Sequence, residues 1–164
     1  MPVPVSVAAT EQQPPPLVID THWVLDLWAF DDARANALRV AINTGRVRWL
    51  ASAAMRAELA RVLTYPLITA FLAKRAALTG LSPACAARHT LAAFDRHAVL
   101  QAAPPACAPR CRDPDDQPFI DLAVAHHATL LSRDRAVLAL ARRLRVHGAR
   151  VQSDWQATTI IISS

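Results

Sequence analysis

Four acidic residues stand where elements of structure should begin or end. Asp20 directly follows the apolar run Leu17-Val18-Ile19, and Asp134 comes shortly after Leu130-Leu131. Glu58 borders a helical stripe of Met55, Leu59 and Val62, and Asp116 closes the cluster Asp113-Pro114-Asp115-Asp116. Singly, each has an ordinary structural role. Asp116 and Asp134 fit as helix caps, Glu58 fits an ion pair with Arg61 three residues on, and Asp20 fits a surface turn. Together, one carboxylate at each of four element ends suits a hard divalent cation, because Mg²⁺ and Mn²⁺ prefer oxygen ligands. A cation held this way lowers the pKa of a bound water.

The elements that must bring these acids together follow from the apolar pattern. Short strands are expected at Leu17–Ile19, Val47–Leu50 and Thr129–Leu131, with a last one near Val151. Helices are expected from Asp31 or Asp32 to about Asn43, from Ser52 to before Pro66, over 67–78, over 83–97, from near Asp116, and over the Arg-rich 135–145. Gly45 and Gly80 serve as stop signals, and the four prolines between Pro104 and Pro114 mark a loop. Short apolar strands alternating with helices predict an α/β fold, a three-layer α/β/α sandwich on a short, mainly parallel sheet. In such sheets ligands bind beyond the carboxyl ends of the strands, where the strand order reverses, so Asp20 and Asp134 can converge across a long stretch of sequence.

Composition narrows the classes. With 164 residues, 53% of them hydrophobic, the chain suits one folded domain and excludes global disorder. The 34 Ala and 5% aromatics favour close-packed helices over an all-β sandwich. Only three glycines occur, which excludes a P-loop or dinucleotide fingerprint. No Ser-centred elbow with flanking glycines is present. A phosphatase of the two-aspartate type would want a second Asp two residues after Asp20, where His22 stands.

The formal charge is +5, and 17 of the 18 basic residues are Arg. Codon bias accounts for much of that preference, yet Arg is also the side chain best shaped for phosphate. Setting the four acids aside leaves 9 acidic against 18 basic residues, a net +9. A basic surface of this kind suits an anionic partner. Arg133, Arg135, Arg142, Arg143 and Arg145 cluster beside Asp134 as phosphate contacts, with a solvated helix face as the equal alternative.

The three cysteines show no zinc spacing, and no apolar run is long enough to span a membrane. A reduced, cytoplasmic protein is the expectation. Residues 1–16 read as a Pro-rich, disordered leader, 17–157 as the folded domain and 158–164 as a tail. Trp23 and Trp28 read as core or dimer contacts, and His126 and His127 as the finish of a helix.

These residues resemble PIN-domain proteins. Leu17-Val18-Ile19-Asp20-Thr21 looks like the opening strand of that family, and Ala57-Glu58-Leu59-Ala60-Arg61-Val62-Leu63 like its central glutamate helix. Asp113-Pro114-Asp115-Asp116 with Phe119-Ile120-Asp121-Leu122-Ala123 resembles the third acidic motif. Ala128-Thr129-Leu130-Leu131-Ser132-Arg133-Asp134 resembles the fourth. The match is nearest to the subgroup regarded as toxins of toxin–antitoxin pairs, relatives of the VapC ribonucleases. The resemblance implies a Mg²⁺- or Mn²⁺-dependent endoribonuclease acting on single-stranded RNA, with a cognate antitoxin as partner. Asp20, Glu58, Asp116 and Asp134 would be the catalytic, metal-holding acids, supported by Thr21 and Ser132. Asp113 would lie at the edge of the site, and Asp115 would be a solvated neighbour or cap. His22 departs from the Asn or Ser of many relatives and reads as packed or solvent-facing. The apolar tail Thr158-Thr159-Ile160-Ile161-Ile162 needs cover, which together with the pairing habit of PIN relatives implies a homodimer. The competing reading is a binding module with weak or no nuclease activity, acting through RNA or protein contacts.

Overall fold

The computed structural model describes residues 12–106 and 108–156. Five strands form one sheet: β1 (Pro16–Ile19), β2 (Arg48–Ala51), β3 (Val99–Leu100), β4 (Thr129–Leu131) and β5 (Arg150–Gln152). Their order is β3-β2-β1-β4-β5, and every pairing is parallel. The sheet is therefore wholly parallel among the described residues, beyond the expectation of a mainly parallel one. Leu17, Val18, Ile19, Leu50, Leu130 and Leu131 are all at most 2% exposed. Strands covered on both faces read as unbroken apolar runs, which is why these segments were legible.

The helices are α1 (Thr21–Val24), α2 (Asn36–Asn43), α3 (Ala53–Val62), α4 (Pro66–Thr79), α5 (Pro83–His97), α6 (Gln117–Ala125), α7 (Arg135–Leu138) and α8 (Ala141–Val146). The chain winds outward from β1 through β2 to β3, then returns beside β1 as β4 and ends at β5. Right-handed crossovers in these two opposite directions place helices on both faces, giving three layers. Trp28 stacks on Trp49 with ring centres 5.3 Å apart, and Trp49 meets Phe94 of α5 edge-on at 5.0 Å. On the return half, α6 packs on β1 and β4, and α8 on β5.

Local signals explain most boundaries. The Ser52 hydroxyl accepts from Met55 N, the Ser82 hydroxyl from Cys85 N, and Gly80 closes α4 at φ +73°. His126 caps the end of α6 and His127 follows at φ +50°, so both finish a helix as expected.

Four segments differ from expectation. Residues 135–145 are two helices, α7 and α8, because the Leu140 N–H reaches back only three residues, to Val137 O. Val137, Leu140 and Leu144 still face the core, so the apolar period was right and the tightened turn invisible. The stretch after Asp20, unassigned from sequence, is α1 running into a π-helical turn over Leu25–Ala29. Both Nε and Nη2 of Arg39 donate to Leu27 O, satisfying a carbonyl within that turn. The short strand β3 was also unread; Val99 and Leu100 are exposed, so burial left no mark on them. The first strand begins inside the segment read as leader. Pro16 opens β1, where a proline's missing N–H is tolerated, and Pro15 O accepts from Arg48 N. Residues 1–11 and the tail lie outside the described residues.

Candidate active site

The strand order reverses between β1 and β4, and the acids gather at that crevice. Asp20 N–H donates to Leu131 O, carrying the β1–β4 ladder one residue past the strand. The Asp20 side chain is buried and accepts from Trp23 N at 3.0 Å, so the acid that ends the strand also caps α1. Burial raises its pKa, against the Trp23 amide and the nearby Ser132, His22 and Arg133, which pull it down. Ser132 is 1% exposed, and its hydroxyl accepts from Asp134 N at 3.2 Å. Asp134 in turn accepts from Ala136 N at 2.7 Å as the cap of α7. Capping and membership of the acid group are thus compatible roles for one side chain.

The other acids come from helices and the proline-rich loop. Thr21 Oγ1 donates to Glu58 Oε2 at 3.2 Å, tying α1 to α3. Burial raises the Glu58 pKa, opposed by the Thr21 bond and by Arg61, and Asp115 and Asp20 push it further up. Asp113 caps a 3₁₀ turn over Pro114–Asp116 by accepting from Asp115 N. Asp116 occupies the cap position of α6 yet makes no side-chain capping bond, which sets aside the ordinary reading of that residue. Its Oδ2 is buried with no hydrogen-bond partner among the described residues. Burial first, then Asp134, Asp113, Asp20 and Glu58, push the Asp116 pKa up to about 6.

Asp20, Glu58, Asp116 and Asp134 line one cavity of about 590 Å³, together with Thr21, Asp113 and Asp115. The tightest group within it is Asp113, Asp116 and Asp134, each offering an oxygen within 4.8 Å of the others. Asp113, placed at the edge from sequence, thus belongs to the densest part. Asp115 also borders the cavity and is exposed. The donors are all oxygen, and one of them is buried without a partner, which fits a hard divalent cation. His22 is exposed on the rim.

Sequence reasoning missed the part Arg133 plays. Its Nη1 lies 2.5 Å from Asp26 Oδ2, its Nε 3.9 Å from Asp154, and its guanidinium 4.1 Å from the centre of the Trp23 ring. Arg133 therefore locks the residues after β4 to α1 and the π turn. Arg135, Arg142 and Arg143 are exposed on α7 and α8 and form no ion pair among the described residues. Trp23 is buried, and Trp28, stacked between Trp49 and His97, is core. No periodicity signalled the partners of Arg133, because Asp26 lies 107 residues away.

No helix among the described residues is long and apolar enough to cross a membrane. The comparison with curated proteins returns no match. A family model described as PIN domain matches residues 16–136, a span that includes every residue lining the cavity. PIN domains are generally nucleases and typically use divalent metal ions. The match covers well over half of the chain, on a parallel sheet whose switch point carries the acids, and the chain belongs to the PIN domain family.

Proposed function

We propose that the chain is a Mg²⁺- or Mn²⁺-dependent endoribonuclease for single-stranded RNA. The observation that carries this reading is the Asp116 carboxylate, uncapped, with one buried oxygen unpaired, in a crowd of acids that holds its pKa up near 6. A fold does not keep such a group for stability, since like charges at close range oppose ionisation. Asp116, Asp134, Asp20 and Glu58 would hold the cation, with Asp113 beside them. When bound, the cation supplies an activated water and stabilises charge on the phosphoryl oxygens. The residues of the chain do the positioning. Ser132 orients the Asp134 backbone through its hydroxyl, Thr21 orients Glu58, and the caps on α1 and α7 fix the Asp20 and Asp134 carboxylates. Exposed Arg135, Arg142 and Arg143 supply the cationic surface for the strand.

The toxin role, a cognate antitoxin, homodimerisation and a cytoplasmic setting belong to the same reading, on the likeness of the four motifs to VapC ribonucleases. Finding a small upstream gene that encodes a DNA-binding antitoxin would favour that role over general RNA processing. The deciding assay is cleavage of unstructured RNA in Mg²⁺ or Mn²⁺ with EDTA as blank. Full activity in Asp20→Asn and Asp116→Asn, or activity indifferent to EDTA, overturns the metal-nuclease reading in favour of a binding module.

A further inference from the structure

The cavity has a second wall that this chemistry leaves unused. Val62 at the end of α3, Tyr65 in the following turn, and Leu67 and Ile68 in the first turn of α4 face the same space as Glu58 and Asp116. Leu67 is 85% and Tyr65 44% exposed, so the wall presents apolar and aromatic surface to whatever enters. The tyrosine is held in place. Arg61 Nε–H donates to its hydroxyl at 3.3 Å, and its backbone is fixed as the cap residue of α4, where Thr69 N–H donates to Tyr65 O at 2.9 Å.

We propose that this wall is a nucleobase subsite, in which Tyr65, backed by Val62, Leu67 and Ile68, takes a base next to the phosphodiester at the acids. The inference rests on the nuclease reading and adds to its cationic surface an uncharged grip beside the acids. The acid wall repels a polyanion, so affinity near the scissile bond must come from uncharged contacts. Stacking of a base on an aromatic ring contributes about 1–3 kcal/mol and tolerates any sequence, because every base has a π-face. A duplex hides those faces, so a stacking wall beside the acids also selects unpaired strands. The occupant is RNA; a second copy of this chain covering the same apolar surface is the competing occupant.

The test uses the full chain and an end-labelled single-stranded RNA, with binding read by fluorescence anisotropy in EDTA. Tyr65→Ala should weaken binding roughly tenfold, the lower part of that stacking range, while Tyr65→Phe, which keeps the ring, should bind as the wild type does. An RNA carrying abasic residues should bind the wild type as weakly as intact RNA binds Tyr65→Ala. With Mg²⁺ or Mn²⁺, the loss should appear in KM and leave kcat nearly unchanged. Leu67→Ser, at a more exposed position, repeats the test should Tyr65→Ala fail to fold. Equal binding by Tyr65→Ala and the wild type overturns the subsite. So does sedimentation showing that these substitutions dissolve a dimer without altering RNA affinity. Retained cleavage in Asp116→Asn overturns the nuclease reading instead, so the two failures are distinguishable.

Discussion

The two halves of the acid wall are built differently. On the strand-end half, Asp20 and Asp134 each accept a backbone N–H, the Ser132 hydroxyl accepts from Asp134 N, and Arg133 ties the segment to Asp26 and Trp23. On the loop half, Asp113, Asp115 and Asp116 sit on a single 3₁₀ turn after a proline-rich loop, and Asp116 keeps an unpaired buried oxygen. The first half is completed by the fold. The second is left with charge in need of a partner, so a ligand should matter most there.

The largest expected effect breaks that contrast directly. Asp116→Asn should lower RNA cleavage on the order of a hundredfold or more, the scale of losing a group that holds a catalytic charge. It should leave the fold intact, as a thermal melt will show, because Asp116 makes no capping bond to lose. Asp95→Asn, remote and paired with Arg56 on the surface, should retain activity.

The next effect is on pH and metal. The folded pKa of Asp116 is about 6 against an ordinary value of 3.8, so the folded state binds its proton more tightly. The stability this lends is fully present below pH 3.8 and is lost as pH rises toward 6. Subtracting the melting curve of Asp116→Asn from that of the wild type in EDTA should isolate this slope. Millimolar Mg²⁺ or Mn²⁺ should raise the wild-type Tm above pH 6 by binding the ionised site, and should do so less in Asp116→Asn. Equal shifts in both proteins would place the cation elsewhere.

Two smaller effects separate the halves. Arg133→Ala should cost about 1–2 kcal/mol in denaturant unfolding, since it leaves the largely buried Asp26 unpaired and uncovers Trp23. Gln117→Ala should cost less, about 1 kcal/mol, by releasing three bonds to Pro109 O, Cys111 N and Asp121. Its effect should fall on metal affinity, because Gln117 anchors the loop that carries Asp113 and Asp116.

Much of this was legible in the chain because local rules leave marks. The runs at 17–19 and 129–131 had to be covered strands, Ser52 had to cap, and Gly80 had to stop α4. The four acids could be named because each sits beside such a mark. The π turn, the exposed β3 and the break between α7 and α8 left none, since backbone hydrogen-bond shifts of one residue do not alter apolar spacing.

By itself the sequence determined which segments are buried, where helices begin and which carboxylates border them, since burial and capping act over a few residues. Only the tertiary structure decided that Asp113 joins Asp116 and Asp134, that Arg133 faces Asp26 and not the solvent, and that Tyr65 shares a cavity with Glu58. Those are contacts between elements distant in the chain, fixed by the order β3-β2-β1-β4-β5 and the crossovers it imposes. The charge on Asp116 follows the same logic: its chemistry is set by neighbours, and the fold chooses the neighbours.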